Sequence, residues 1–134
     1  MVRPSVTVLV VATDDFADWR LVADVLLETC YDVSEAFGPE YQVVLRLLGG
    51  SEFDHHVANW VAAHGPTTTD TAIRVYATAH PADRAEHGDG AVWARDRDLI
   101  AQGAQLCLAF CAPGDPLPAI ARFATGAGIP VRRV

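Results

Sequence analysis

Two hydrophobic periodicities alternate along the chain. Val6-Thr7-Val8-Leu9-Val10-Val11 is a β-branched run with apolar residues on both faces, the pattern of a parallel strand buried on both sides. After the turn Thr13-Asp14-Asp15, Trp19, Val22, Ala23, Leu26, Leu27 and Cys30 recur at helical spacing. They predict a helix over Asp18 to Phe37, capped by Asp15 or Asp18 and broken at Gly38-Pro39. Tyr41 to Leu48 reads as a second strand, ended by Gly49-Gly50. Phe53, Val57, Trp60, Val61 and His64 share one helical face, and Gly65-Pro66 closes that helix. Thr67 to Thr71 is polar and reads as loop, Ile73 to Ala77 as a third strand, and His80 to Gly90 as a long polar loop. Ala91 to Gln102 is a third helix and Leu106 to Phe110 a fourth strand. Cys111 to Asp115 is a turn, Leu117 to Thr125 a fourth helix, and Val131 to Val134 a last short strand.

Strands alternating with helices predict an α/β fold: a three-layer α/β/α, Rossmann-like parallel sheet of about five strands. The first strand has no polar face over Val8 to Val11. It therefore belongs at the centre, between the second and fourth strands. In such sheets ligands bind beyond the carboxyl ends of the strands. That directs attention to Thr13 to Phe16, Gly49 to Asp54, Thr78 to Gly90 and Cys111 to Asp115.

The chain has 134 residues, 51% hydrophobic and 20% charged, which excludes intrinsic disorder and suits one domain over residues 1–134. No apolar run approaches the ~20 residues of a membrane span, and no signal-peptide pattern opens the chain. A cytoplasmic protein with no membrane partner is expected. The net charge is −7, and all ten basic residues are scattered arginines. That disfavours a nucleic-acid partner. With no lysine, a P-loop lysine and Schiff-base chemistry are excluded. Three cysteines, Cys30, Cys107 and Cys111, write neither a disulfide framework nor a zinc knuckle.

Several residues invite a chemical reading. Asp14-Asp15 would hold Mg²⁺ in a response-regulator receiver, but that chemistry also needs an aspartate ending the third strand and a later lysine. Ala77 and Thr78 stand at that strand's end, so helix capping is the better reading. His55, His56, His64, His80 and His87 lack metal-ligand spacing, and no metal is expected. Cys111 has no identifiable base and reads as a buried thiol rather than a nucleophile. Trp19 and Trp60 fit core stripes, and Trp93 is a candidate to stack on a base. Asp54 and Arg95 have two readings at even weight. Asp54 accepts from ribose hydroxyls while Arg95 holds an anion, or Asp54 caps its helix and Arg95 pairs across to it.

The loops together resemble the SLOG superfamily, specifically its small YspA-type Rossmann-like proteins, over nearly the whole chain. The segments are Ala12-Thr13-Asp14-Asp15-Phe16; Gly49-Gly50-Ser51-Glu52-Phe53-Asp54 with Trp60 six residues on; and Pro81-Ala82-Asp83, Gly88 and Arg95-Asp96. Gly103-Ala104, Cys111-Ala112-Pro113-Gly114-Asp115 and Gly128-Ile129-Pro130-Val131 complete them. The resemblance implies a non-catalytic binder or sensor of a nucleotide-derived small molecule, with no cofactor. It places the ligand site at Thr13, Asp14, Gly49, Asp54, Asp83, Arg95 and Gly114. Two alternatives stay open: a hydrolase of nucleotide N-glycosidic bonds with Asp54 or Asp83 as acid/base, and an interaction protein without a ligand that forms a homodimer through its helices. The chain departs from the family pattern where Asp14 and Ser51 match arginines and Glu52 matches a glycine. No Glu follows Cys111 where the related phosphoribohydrolases carry one. A pocket that repels phosphate is the expectation.

Overall fold

The computed structural model describes residues 4–64 and 74–134. Five parallel strands form one sheet: β1 (Ser5–Ala12), β2 (Gln42–Leu47), β3 (Arg74–Ala79), β4 (Leu106–Phe110) and β5 (Val131–Arg133), in the order β3-β2-β1-β4-β5. The helices are α1 (Trp19–Phe37), α2 (Glu52–His64), α3 (Arg84–His87), α4 (Ala91–Gln102) and α5 (Ala119–Gly126). β1 is central, as its two-faced apolar run requires. Val8, Leu9, Val10 and Val11 are each at most 2% exposed.

The side-chain alternation of β1 divides the core in two. Val6, Val8 and Val10 pack with Val22, Leu26 and Cys30 of α1 and with Phe53 and Val57 of α2. Leu9 and Val11 pack on the other face with Leu99 of α4 and with Ile120, Ala121 and Ala124 of α5. This is the three-layer, Rossmann-like arrangement. Among the described residues, no helix is long and apolar enough to cross a membrane.

The boundaries follow local chemistry. Asp18, not Asp15, caps α1, its Oδ1 accepting from Leu21 N at 3.2 Å. The predicted start of the last helix at Leu117 is too early. Pro118 takes the N-cap position of α5, and a residue before proline is disfavoured in helical backbone. The polar loop expected over His80 to Gly90 instead holds α3 and a 3₁₀ turn at Gly88–Gly90. Asp83 caps α3 by accepting from Glu86 N at 3.1 Å, and neither element buries a residue. With no apolar face there was no periodicity to read. β3 runs on to Ala79. Gly65-Pro66, the loop at Thr67 to Thr71, and Ile73 at the expected start of the third strand lie outside the described residues.

Three phenylalanines close the carboxyl end of the core beneath the loops. Phe16, Phe53 and Phe110 meet at centroid separations of 6.3, 5.5 and 5.4 Å. Phe110 is fully buried and touches both partners. Phe110→Ala is expected to lower unfolding free energy by about 3–5 kcal/mol in urea denaturation. A loss below about 1 kcal/mol would show that the cluster is not a packed unit.

Candidate functional site

The loops beyond the strands enclose three cavities. A crevice of about 240 Å³ lies above β1 and β2, lined among others by Thr13, Asp14, Gly49, Glu52, Asp54 and Arg95. A pocket of about 270 Å³ lies beside α3 and α4, lined among others by His80, Asp83, Glu86, His87 and Arg95. A groove of about 500 Å³ lies between the ends of β1 and β4, where the strand order reverses. Thr13, Asp14, Asp15, Asp115 and Arg122 are among its lining. Five of the seven residues singled out in the sequence thus share the crevice. Asp83 faces the α3–α4 pocket, and Gly114 lines none of the three cavities.

Thr13 joins the two central strands. Its amide donates to Phe110 O at 2.9 Å and its Oγ1 accepts from Ala112 N at 3.0 Å. Gly49 sits at φ +87°, a left-handed backbone that side chains rarely adopt, and a Cβ there would come within 3.4 Å of Pro81 N. Gly114, at φ +83°, follows Pro113 in a turn closed by Asp115 N donating to Ala112 O at 3.0 Å. The positive φ serves that turn.

Asp54 does cap its helix. Its Oδ2 accepts from Ser51 N at 3.3 Å, and Ser51 Oγ accepts from Asp54 N at 3.1 Å. The two form a reciprocal box at the start of α2. Asp54 is only 7% exposed, and its Oδ1 has no hydrogen-bond partner among the described residues. Arg95 does not pair with Asp54, which corrects the expected cross-pair. Its Nε donates to Asp96 Oδ1 at 2.6 Å, and its Nη1 donates to Leu48 O and His80 O, each at 3.1 Å. Both side chains of this ion pair are nearly buried, 12% and 9% exposed. The Arg-Asp dipeptide was visible in the sequence, but adjacent helical positions do not face one another. The pair forms because Arg95 folds back along the sheet edge to reach the two carbonyls.

The other candidates divide clearly. Trp93 is 58% exposed, with the Arg97 guanidinium 4.7 Å above its ring, and lines none of the cavities. His56 stacks on Trp19 at 3.9 Å. Cys111 is buried, its Sγ donating to Ala109 O at 3.6 Å. Burial pushes the thiols of Cys30 and Cys107 up to about 12, with Cys111 adding to the effect at Cys107. Burial first, then the charges of Arg46 and Arg95, hold His80 below the ordinary histidine range. Its Nε2 lies 2.8 Å from Thr78 Oγ1. Among the described residues no group of three or more His, Cys, Asp or Glu is placed to hold a metal ion.

Sequence reading missed the carboxyl pair at the groove. Asp15 and Asp115 share a hydrogen bond. It lowers the pKa of Asp15, and it raises that of Asp115, with burial and the Asp15 charge acting the same way. No pattern in the sequence announces a contact between two turns a hundred positions apart.

No family model matches this chain, and no curated protein does either.

Two predictions follow from these contacts. Arg95→Ala leaves Asp96 a buried, uncompensated charge and is expected to cost about 3–5 kcal/mol. Removing both charges in Arg95→Ala/Asp96→Ala should recover part of that loss in a denaturation double-mutant cycle; strictly additive losses would refute the coupling. At the groove, the raised pKa of Asp115 contributes stability below the ordinary carboxylate range, and this is lost as pH rises through its own value. The lowered pKa of Asp15 acts in the opposite sense, its contribution lost as pH falls. Asp115→Asn removes the repulsion between two ionised carboxylates, so its melting temperature should exceed wild type at pH 7. The gain should vanish below the carboxylate range, where Asp115 already carries a proton. A pH-independent difference would exclude the coupling of the two carboxyls.

Proposed function

We propose that this protein binds a nucleotide-derived small molecule in the β1–β2 crevice and does not transform it, as a divergent relative of the SLOG-type sensors it resembles. The observation that carries this reading is Asp54. A carboxylate oxygen lining a cavity, on a residue only 7% exposed and without a partner among the described residues, calls for a donor from outside the chain. Ribose hydroxyls are such donors. The volume of about 240 Å³ lies just below the usual range of roughly 300–1,000 Å³ for small-molecule sites. It suits one nucleoside-sized group rather than a dinucleotide.

Mass spectrometry of ligand co-purified with the protein, followed by thermal shift against a panel of nucleosides and nucleotides, tests the reading. A ligand at 100 times its Kd adds about 2.7 kcal/mol to stability. Asp54→Asn keeps a cap oxygen and removes the charge. It should melt close to wild type when empty and bind the ligand more weakly by about 1.5–3 kcal/mol. A panel without any shift, or an Asp54→Asn variant that binds as wild type does, would place the function elsewhere.

A further inference from the structure

We propose that the crevice selects by charge, accepting an uncharged nucleoside and rejecting its 5′-phosphate. This rests on the reading of the crevice as a binding site and assigns its ligand class.

A phosphate in a fold of this kind is held by the free amides of a helix start and by an unpaired cation. Here the cation is occupied from within, and two amides of the helix start are as well. At the start of α2, Ser51 N donates to Asp54 Oδ2 at 3.3 Å, Asp54 N to Ser51 Oγ at 3.1 Å, and His55 N to Ser51 O at 3.1 Å. The Asp54 carboxylate thus holds the place of an external anion. The one cation lining the crevice, Arg95, is neutralised by Asp96 at 2.6 Å and further engaged by two carbonyls. Asp14, Glu52 and Asp54 add three carboxylates to the lining. An incoming phosphate would meet their repulsion without gaining an unpaired cation.

The same lining suits a neutral nucleoside. Thr13 lines the crevice as well, its Oγ1 accepting from Ala112 N. Asp54 Oδ1 and the carboxylate of Asp14 accept hydroxyl protons. Phe16 and Phe53 supply apolar surface in the crevice wall. Specificity of this kind comes as much from what the site repels as from what it attracts.

The experiment is calorimetry at low salt with adenosine, guanosine, cytidine and uridine, each against its own 5′-monophosphate. The expected result is that the nucleoside which binds does so at least about tenfold more tightly than its monophosphate. The gap should narrow in Asp14→Asn/Glu52→Gln, and narrow in wild type as salt is raised, which screens the repulsion without any substitution. Equal or tighter binding of the monophosphate would overturn the charge selection while leaving the crevice a binding site. Failure of both series to bind would overturn the binding reading as well. A gap that neither the double variant nor salt alters would show that these carboxylates do not set it.

Discussion

Arg95 lies between buried Ala94 and buried Asp96, its own side chain only 12% exposed. From the first half of α4 its guanidinium reaches the first carbonyl beyond β2 and the first beyond β3, while its own neighbour Asp96 supplies the countercharge. One side chain thus fixes a helix against two strand ends that no backbone hydrogen bond ties to it. A wall of the crevice and a wall of the α3–α4 pocket both hang on that arrangement, since Leu48 leads into Gly49 and His80 into the α3 segment. A buried ion pair gains little over an apolar pair of equal volume, but half of one is costly. Arg95 therefore acts first as a strut, and its presence in two cavity linings follows from where the strut must pass.

The same economy of charge recurs around it. Asp18 and Asp83 cap helices, Asp54 closes a reciprocal box, and Asp15 and Asp115 shift one another's pKa in opposite directions across the groove. Much of the chain's acidity near the carboxyl end of the sheet is thus committed to helix starts or held against other acids. With no lysine to offset it, the crest of the fold is anionic by construction. The starts of α1, α2 and α3 are capped by side chains of the chain itself, whereas α4 and α5 carry no side-chain cap.

The layers, strand order and central strand were legible in the sequence because burial on both faces leaves an uninterrupted apolar run, and because helix stripes keep their period. α3 was not, since a four-residue helix held by one aspartate buries nothing. At the crevice, positions could be read but partners could not. Asp54 was correctly seen as a cap, but its Ser51 partner went unnoticed; Arg95 was correctly placed at the crest, but its partner turned out to be adjacent Asp96 instead of Asp54. The turn at Gly114 was read as a glycine position, but not the bond from Asp115 N to Ala112 O that closes it. Backbone pattern reports which face a residue is on, whereas long side chains such as arginine choose partners from the whole tertiary surround.

The central position of β1 also has a consequence for how the chain folds. Val8 pairs with Leu45 on one side and with Leu106 on the other. The first of these contacts forms within the opening β-α-β segment, but the second waits for the last third of the chain. During synthesis the α1 and α2 side of the sheet can be covered while Leu9 and Val11, which face α4 and α5, remain bare. The nascent amino-terminal half is then a sheet with one open edge and one uncovered apolar face, and closure by β4 is a non-local, intrinsically slow step.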